Sequence, residues 1–452
     1  MDLNRRSALG VLGAVGTAAL TRAAEAQGVA PLNPPPAQPV HIPPPPGTGV
    51  AGRMTGAKAV VAALCVEGTR CVFGVPGAQN NELWDAMKSH GLPYMLVTNE
   101  ASASVMADAS ARVTGNPGVF AVVPGPGLTN ALTGIGEALY DSVPVVGICT
   151  DIDRRPGAPI GQVHGLSNAA ILRPVCKAVY ELTSPGQIPA AIHAAFRLAR
   201  SGEPGPVAVV IPYWMYTETW NYNEPLPPPR TACFDEAAYR RCLCALSDRS
   251  KRVGIYAGQG CLDAAASLQA VAELLQAPVA TSVSGKGSIP EQHPLAVGWG
   301  YGTQGTRAAE LTFARDVDVV LAVGVRFSEN STANYSLPGH ETLIHVDANP
   351  QNLGRNVPAD VAVQADSQVF LNRLLADANA VRRAPNPTLW RAIAERKRVD
   401  RCSYQQPEIT DGVDPMVFLY RLREAMGPEE LIFVDVTASV HWAAEAIEVA
   451  GP

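Results

Sequence analysis

The stretch Phe120-Ala121-Val122-Val123-Pro124-Gly125-Pro126-Gly127-Leu128-Thr129-Asn130 decides the fold class. Phe120 to Val123 is a short apolar run of the buried-strand type, and Gly125-Pro126-Gly127 turns the chain. Thr129 to Tyr140 then carries a helical pattern and leads to a second apolar strand at Pro144 to Cys149. Two fully apolar strands joined by a helix form the βαβ unit of a parallel sheet covered by helices. Upstream the same alternation continues: helix Thr55 to Glu67, strand Cys71 to Val75 closed by Pro76-Gly77, helix Asn81 to His90, strand Tyr94 to Val97 and helix Glu100 to Thr114. Downstream, a helix from Ile188 to Ser201 and a strand from Val207 to Ile211 complete a first domain assigned to residues 54–220.

Asn221 to Pro229 is polar and proline-rich and reads as a linker. A second series, assigned to 230–385, follows with strand Val253 to Ala257, helix Ala264 to Leu275, strand Val279 to Ser282, helix Thr306 to Arg315, and strands Val317 to Val323 and Thr342 to Val346. Gly258-Gln259-Gly260 is half of a dinucleotide fingerprint, and a tight strand-to-helix turn needs glycine with or without a ligand. A third segment, 411–452, carries a helix at Pro415 to Met426, a strand at Leu431 to Val434 and the run Asp435 to Glu445. That is too little chain to bury a core of its own. The expected fold is α/β, with consecutive doubly wound parallel-sheet domains and the start of a third.

A chain of 452 residues exceeds what one core holds, since a single core stops growing at roughly 250–300 residues. With 47% apolar residues and a formal net charge of −6, the composition excludes a nucleic-acid surface, an acidic tail and a disordered chain. The nine dispersed cysteines form no Cys-x-x-Cys pair, so neither a zinc ribbon nor a disulfide framework is expected. Arg5-Arg6, the apolar run Ser7 to Leu20 and Ala24-Glu25-Ala26 read as a twin-arginine signal peptide over 1–26, followed by a proline-rich linker over 27–52. Export to the periplasm follows from that reading, and a cytoplasmic location if the signal does not function. The apolar run is shorter than the ~20 residues of a membrane-spanning helix. No membrane span is therefore expected in the mature form.

Thr98-Asn99-Glu100-Ala101-Ser102-Ala103 places one carboxylate at a strand-to-helix junction. Glu100 there either favours the helix N-terminus electrostatically or faces the crevice where open parallel sheets bind ligands. His164 reads either as a proton carrier or as an ordinary loop histidine.

Taken in order, Val72-Phe73-Gly74-Val75-Pro76-Gly77, Asn99-Glu100-Ala101-Ser102, Ala107 to Gly115 and Gly125 to Asn130 resemble the pyrimidine-binding domain of thiamine-diphosphate enzymes, in particular the acetolactate synthase group. Ser284-Gly285-Lys286-Gly287, Pro290 to Pro294, Gly305-Thr306-Arg307, Gly324-Val325-Arg326-Phe327 and Ile344-His345-Val346-Asp347 are similar to that group's central domain. The resemblance implies a carboligase or decarboxylase acting on a 2-oxo acid such as pyruvate. It gives Glu100 the catalytic place beside the cofactor's aminopyrimidine ring, with Val75, Pro76, Gly77, Thr129 and Asn130 around it and Gln162 near substrate. It also implies FAD in the central domain, contacted by Lys286, Arg326, Asp347, Asp366 and Arg173. Ser328-Glu329-Asn330 departs from the aspartate pair and arginine usual in flavin-binding members, which leaves open a central domain without nucleotide.

In that family a Gly-Asp-Gly followed by Asn-Asn holds Mg2+ and the diphosphate, as oxygen ligands suit a hard cation. Here the only Asn-Asn is Asn80-Asn81, in the first domain. The expectation is a homodimer or higher oligomer whose diphosphate-binding domain comes from further residues or a separate chain. The alternative is a non-catalytic binding or assembly subunit.

Overall fold

The computed structural model describes residues 48–451 except 229–231, 333–334, 336, 406–410, 428–429 and 436. The expected signal peptide and nearly all of the proline-rich stretch lie outside the described residues. The described chain opens with strand β1 (Gly49–Thr55) and helix α1 (Gly56–Val66). There follow β2 (Val72–Gly74), α2 (Asn81–His90), β3 (Tyr94–Leu96), α3 (Glu100–Thr114), β4 (Gly118–Val122), α4 (Pro126–Tyr140) and β5 (Val145–Asp151). Next come α5 (Asn168–Leu172), β6 (Ala178–Glu181), α6 (Ile188–Arg200), β7 (Val207–Pro212) and β8 (Thr219–Pro225). β2 to β7 form a six-stranded, all-parallel sheet in the order β3-β2-β4-β5-β7-β6.

Successive strand residues feed opposite faces of this sheet. Val119, Ala121, Val146, Ile148, Val207, Val209 and Ile211 join one core with Val60 and Leu64 of α1 and Phe196 of α6. Phe120, Val122, Val145, Cys149, Ala208 and Val210 join a second core with Ala103 and Ala107 of α3 and Leu128 and Ile135 of α4. The period-2 geometry of a strand sends neighbours to opposite sides, so a strand covered on both faces must be apolar at every position. That is why Phe120 to Val123 reads as an unbroken apolar run. Burying each Val, Ile or Phe is worth about 1.5–3 kcal/mol, so the strands and the helices that cover them stabilise the first unit together.

β1 and β8 pair antiparallel, from Gly49 opposite Pro225 to Thr55 opposite Thr219. This corrects both linker readings: folded chain begins before Met54, and the stretch after Thr219 is a strand before it is a link. Trp220 and Tyr222 alternate with polar residues there, and Tyr222 is buried against the first core. The prolines masked this period-2 signal.

The second unit contains α7 (Glu236–Ser247), β9 (Val253–Ala257), α8 (Ala265–Leu275), β10 (Val279–Thr281), β11 (Ala296–Trp299) and α9 (Arg307–Asp316). It continues with β12 (Val319–Val323), β13 (Thr342–Asp347), β14 (Val361–Gln364), α10 (Ser367–Ala376), α11 (Ala378–Val381) and α12 (Pro387–Ser403). Its sheet is also six-stranded and parallel, ordered β11-β10-β9-β12-β13-β14 around one core. Finally α13 (Pro415–Ala425) and α14 (Ala438–Ala446) lie against this unit, with the His441 and Trp299 rings 5.5 Å apart. The expected strand at Leu431 to Val434 is not formed: the segment pairs with no described strand, and Leu431 and Phe433 are two-thirds exposed. An apolar run becomes a strand only beside a partner edge. Among the described residues no helix is long and apolar enough to cross a membrane.

Candidate functional site

In the first sheet the chain passes from β2 outward to β3 and then back across to β4, so the loops leaving β2 and β4 diverge at their carboxyl ends. Open α/β sheets hold ligands at such switch points. Glu100 stands here as the first residue of α3, whose N-cap Asn99 accepts a hydrogen bond from the Ala101 N–H at 2.8 Å. Asn130 of α4 donates from Nδ2 to Glu100 Oε2 at 3.0 Å. Glu100 Oε1 takes no hydrogen bond among the described residues. It faces Gly127, where an added Cβ would sit 3.4 Å from Oε1 and 2.7 Å from Val123 Cγ2. On the other side of Val123, a Cβ on Gly77 would lie 2.7 Å from Cγ1. Gly77 and Gly127 thus both pack closely on the Val123 side chain, and Glu100 stands beside Gly127 with one carboxylate oxygen unpaired among the described residues.

The turn Val75-Pro76-Gly77 is fixed from below by Asn80, a buried residue whose Oδ1 accepts from the Gly77 N–H at 2.8 Å and from Trp84 Nε1 at 3.1 Å. Thr129 lies on the exposed side of α4, and its hydroxyl donates back to the Pro126 carbonyl at 3.1 Å. Of the residues singled out in the sequence, Glu100 and Asn130 are brought into direct contact, Gly77 joins them only through Val123, Val75 and Pro76 belong to the same turn as Gly77, and the Thr129 side chain turns away. Asn80 and Val123 were missed. Asn80 drew attention only as part of an Asn-Asn pair, and Val123 looked like one more core valine.

The 152–166 loop and Pro126 line an open cleft of about 840 Å³ that includes Arg154, Arg155, Gln162 and His164. Asn168 ties the end of β5 to the turn before α4, accepting from the Gly125 N–H at 3.2 Å and donating to Asp151 Oδ1 at 3.0 Å. His164 has a positive φ of 65° and packs its backbone on Gly125. Gln162 faces the cleft while its own amide braces the loop through Asp153 and Pro159. Arg154 pairs with Asp151 at 2.6 Å and Arg155 with Asp153 at 2.6 Å, so the cleft wall carries two oriented guanidinium groups.

The second sheet also reverses direction, between β9 and β12, and its expected nucleotide residues lie along the same carboxyl edge. Here the geometry differs. Gly258 and Gly324 touch across the switch point, since a Cβ on Gly258 would lie 1.9 Å from the Gly324 carbonyl oxygen. Lys286 Nζ contacts Glu291 Oε1 at 2.5 Å and donates to the Ala444 carbonyl of α14 at 2.9 Å. Arg326 pairs with Glu203 of the first unit at 3.3 Å. Asp347 is buried, accepts from the Asn349 N–H at 2.8 Å, and is pushed up to about 6 by burial. Asp366 caps α10 through the Val369 N–H at 3.1 Å, and Arg173 pairs with Glu181 on the exterior of the first unit. All five side chains are engaged by the protein's own groups, an arrangement that does not fit a flavin held by them.

Residues 54–169 match the family described as thiamine pyrophosphate enzyme, N-terminal TPP binding domain, and residues 241–374 match its central domain. The chain is 31% identical over 418 residues to the probable acetolactate synthase large subunit of Methanocaldococcus jannaschii, covering 88% of this chain and 69% of that protein. It is 31% identical over 414 residues to the acetolactate synthase large subunit of Parasynechococcus marenigrum, covering 87% and 65%. Against the acetolactate synthase isozyme 3 large subunit of Escherichia coli it is 33% identical over 338 residues, covering 71% and 57%. The chain thus spans between 57% and 69% of the length of these relatives.

Proposed function

The chain belongs to the thiamine pyrophosphate enzyme family, with acetolactate synthase large subunits among its relatives, and from that premise we propose that it uses thiamine diphosphate with Mg2+ to decarboxylate or ligate 2-oxo acids such as pyruvate. The observation that carries this reading is Glu100, at the switch point of the first sheet, whose Oε2 is held by Asn130 while its Oε1 is unpaired among the described residues. A carboxylate with one oxygen fixed and the other free suits an aminopyrimidine ring nitrogen that must share a proton. Bound there, the cofactor supplies the nucleophilic thiazolium carbon and the electron sink that decarboxylation of a 2-oxo acid needs.

The protein's own part is orientation and proton control. Glu100 holds the shared proton at Oε1, Asn130 keeps the carboxylate from rotating, and Asn80 keeps the Gly77 turn in place. The diphosphate and Mg2+ are assigned to oxygen ligands outside this sequence, on further residues or a second polypeptide, in an oligomer. Twin-arginine export belongs to the same proposal, and N-terminal sequencing of the native protein tests it.

Calorimetry tests the cofactor reading. Thiamine diphosphate with Mg2+ is titrated into the native assembly and into its Glu100→Gln variant. Saturable binding with loss of turnover in the variant supports it. Absence of binding by the native assembly would leave a non-catalytic subunit of the same family.

A further inference from the structure

The carboxyl edge of the second sheet is where an open α/β sheet normally receives a ligand. In this chain that edge already has occupants. On the β12–β13 flank, Glu203, from the turn after α6 in the first unit, reaches across and is met by four side chains. Its Oε1 accepts from Ser142 Oγ at 2.8 Å and pairs with Arg326 at 3.3 Å. Its Oε2 accepts from Asn349 Nδ2 at 2.6 Å and from Asn352 Nδ2 at 3.2 Å. Asn352 also donates to Asp347 Oδ1 at 3.2 Å, which draws the end of β13 into the same network.

On the β10 flank the occupant is α14 and the turn after it. Glu291 and Val449 exchange two hydrogen bonds, the Glu291 N–H to the Val449 carbonyl at 3.0 Å and the Val449 N–H to Glu291 Oε2 at 2.9 Å. Lys286 clamps the same pair of elements through Glu291 and Ala444, and Lys397 donates to the Glu291 carbonyl from behind. Between the flanks, the Gly258 and Gly324 loops are in backbone contact.

We propose that the carboxyl edge of the second sheet is an internal docking surface, taken on one flank by Glu203 and on the other by residues 438–449, so that it binds no FAD and Glu203 is the residue that fixes the first unit on the second. A carboxylate presented by the protein satisfies Arg326 and two amide groups as an anionic ligand would, and it cannot diffuse away. The inference stands on the second unit and does not depend on the thiamine reading.

Two measurements on the native assembly test it. Purified protein incubated with FAD and passed through a gel-filtration column should emerge without flavin absorption; retention of one flavin per chain overturns the proposal. Heat unfolding of the native protein should show one cooperative transition, and Glu203→Ala should split it into two, with faster proteolysis between β8 and α7. Glu203→Gln, which keeps an acceptor for the asparagines but loses the Arg326 pair, should fall between. A single transition in Glu203→Ala at the native temperature overturns the docking role. Thiamine diphosphate titrations on the same preparations score the other reading separately.

Discussion

The two parallel sheets solve the same geometric problem at their carboxyl edges with opposite results. Each reverses chain direction beside its first strands, and each has glycines in the loops at that point. In the first sheet Gly77 and Gly127 stand on either side of the Val123 side chain, next to Glu100, whose Oε1 is unpaired among the described residues. In the second, Gly258 and Gly324 meet directly, and the charged residues on both sides face protein partners. Glycine at a switch point therefore records close backbone approach. Whether the approach is to a ligand or to another loop depends on what the flanking side chains are left to do.

The contrast can be broken most forcefully at Glu100. Replacement by Gln should lower turnover of the native assembly by ~10²–10⁴-fold, the usual range for a positioned acid–base group, while leaving heat unfolding in place. Steady-state kinetics with a 2-oxo acid check the first part and calorimetry the second; near-native turnover would return Glu100 to a helix-terminal role. On the closed side, Gly258→Ala drives a Cβ to 1.9 Å from the Gly324 carbonyl. Backbone must move, and a loss of about 3 kcal/mol is expected in denaturant unfolding, as for severe overpacking. Gly127→Ala, by comparison, sets a Cβ 2.7 Å from Val123 Cγ2 and 3.4 Å from Glu100 Oε1, so it should lower turnover and, as only a side chain must shift, cost about 1 kcal/mol in denaturant unfolding.

A pH test sharpens the comparison further. Burial raises the Asp347 carboxyl to about 6, so the folded chain holds this proton more tightly than the unfolded one does. The cost of ionising it is absent at low pH, grows as pH rises from the ordinary carboxylate range through about 6, and is complete above that. Asp347→Asn should thus stabilise the protein above pH 6 by about 2 kcal/mol and have much less effect near pH 4, read as the difference in melting temperature between variant and wild type. A variant equally stable or less stable than wild type at neutral pH would show that the carboxylate is better accommodated than its burial implies. The smallest effect is expected at Asn130. Asn130→Ala frees the Glu100 carboxylate to rotate and should lower turnover ~10-fold, about 1.4 kcal/mol, with Asn130→Gln recovering part of it.

Legibility followed burial for most strands. β4, β5, β7 and β9 are buried throughout and largely apolar, and their positions were plain in the sequence, whereas β3 was anticipated although exposed and β11 was missed although mostly buried. β6 and β14 lie at sheet edges and are only partly buried, so their apolar signal is diluted and they were not anticipated. β8 was hidden by prolines, and the run at 431–434 looked like a strand because composition says nothing about whether a partner edge is present. At the site, Glu100, Gly77 and Asn130 could be gathered by motif order, since each lies just past a strand or at a helix start. Glu203 could not: Gly202-Glu203-Pro204-Gly205 has the composition of an ordinary surface turn. Its partners are Ser142, Arg326, Asn349 and Asn352, separated by at least 61 residues along the chain.

The ribbon of β1 and β8 turns the first unit into a closed circuit. Gly49 lies opposite Pro225, so the chain enters and leaves this unit at one corner, side by side. The unit is entered through β1 and left toward the second unit through β8, so its order along the chain is dispensable in principle. A circular permutant with the old ends joined by a few residues and new ones cut at the exposed Gly115-Asn116 turn retains every pairing in the first sheet.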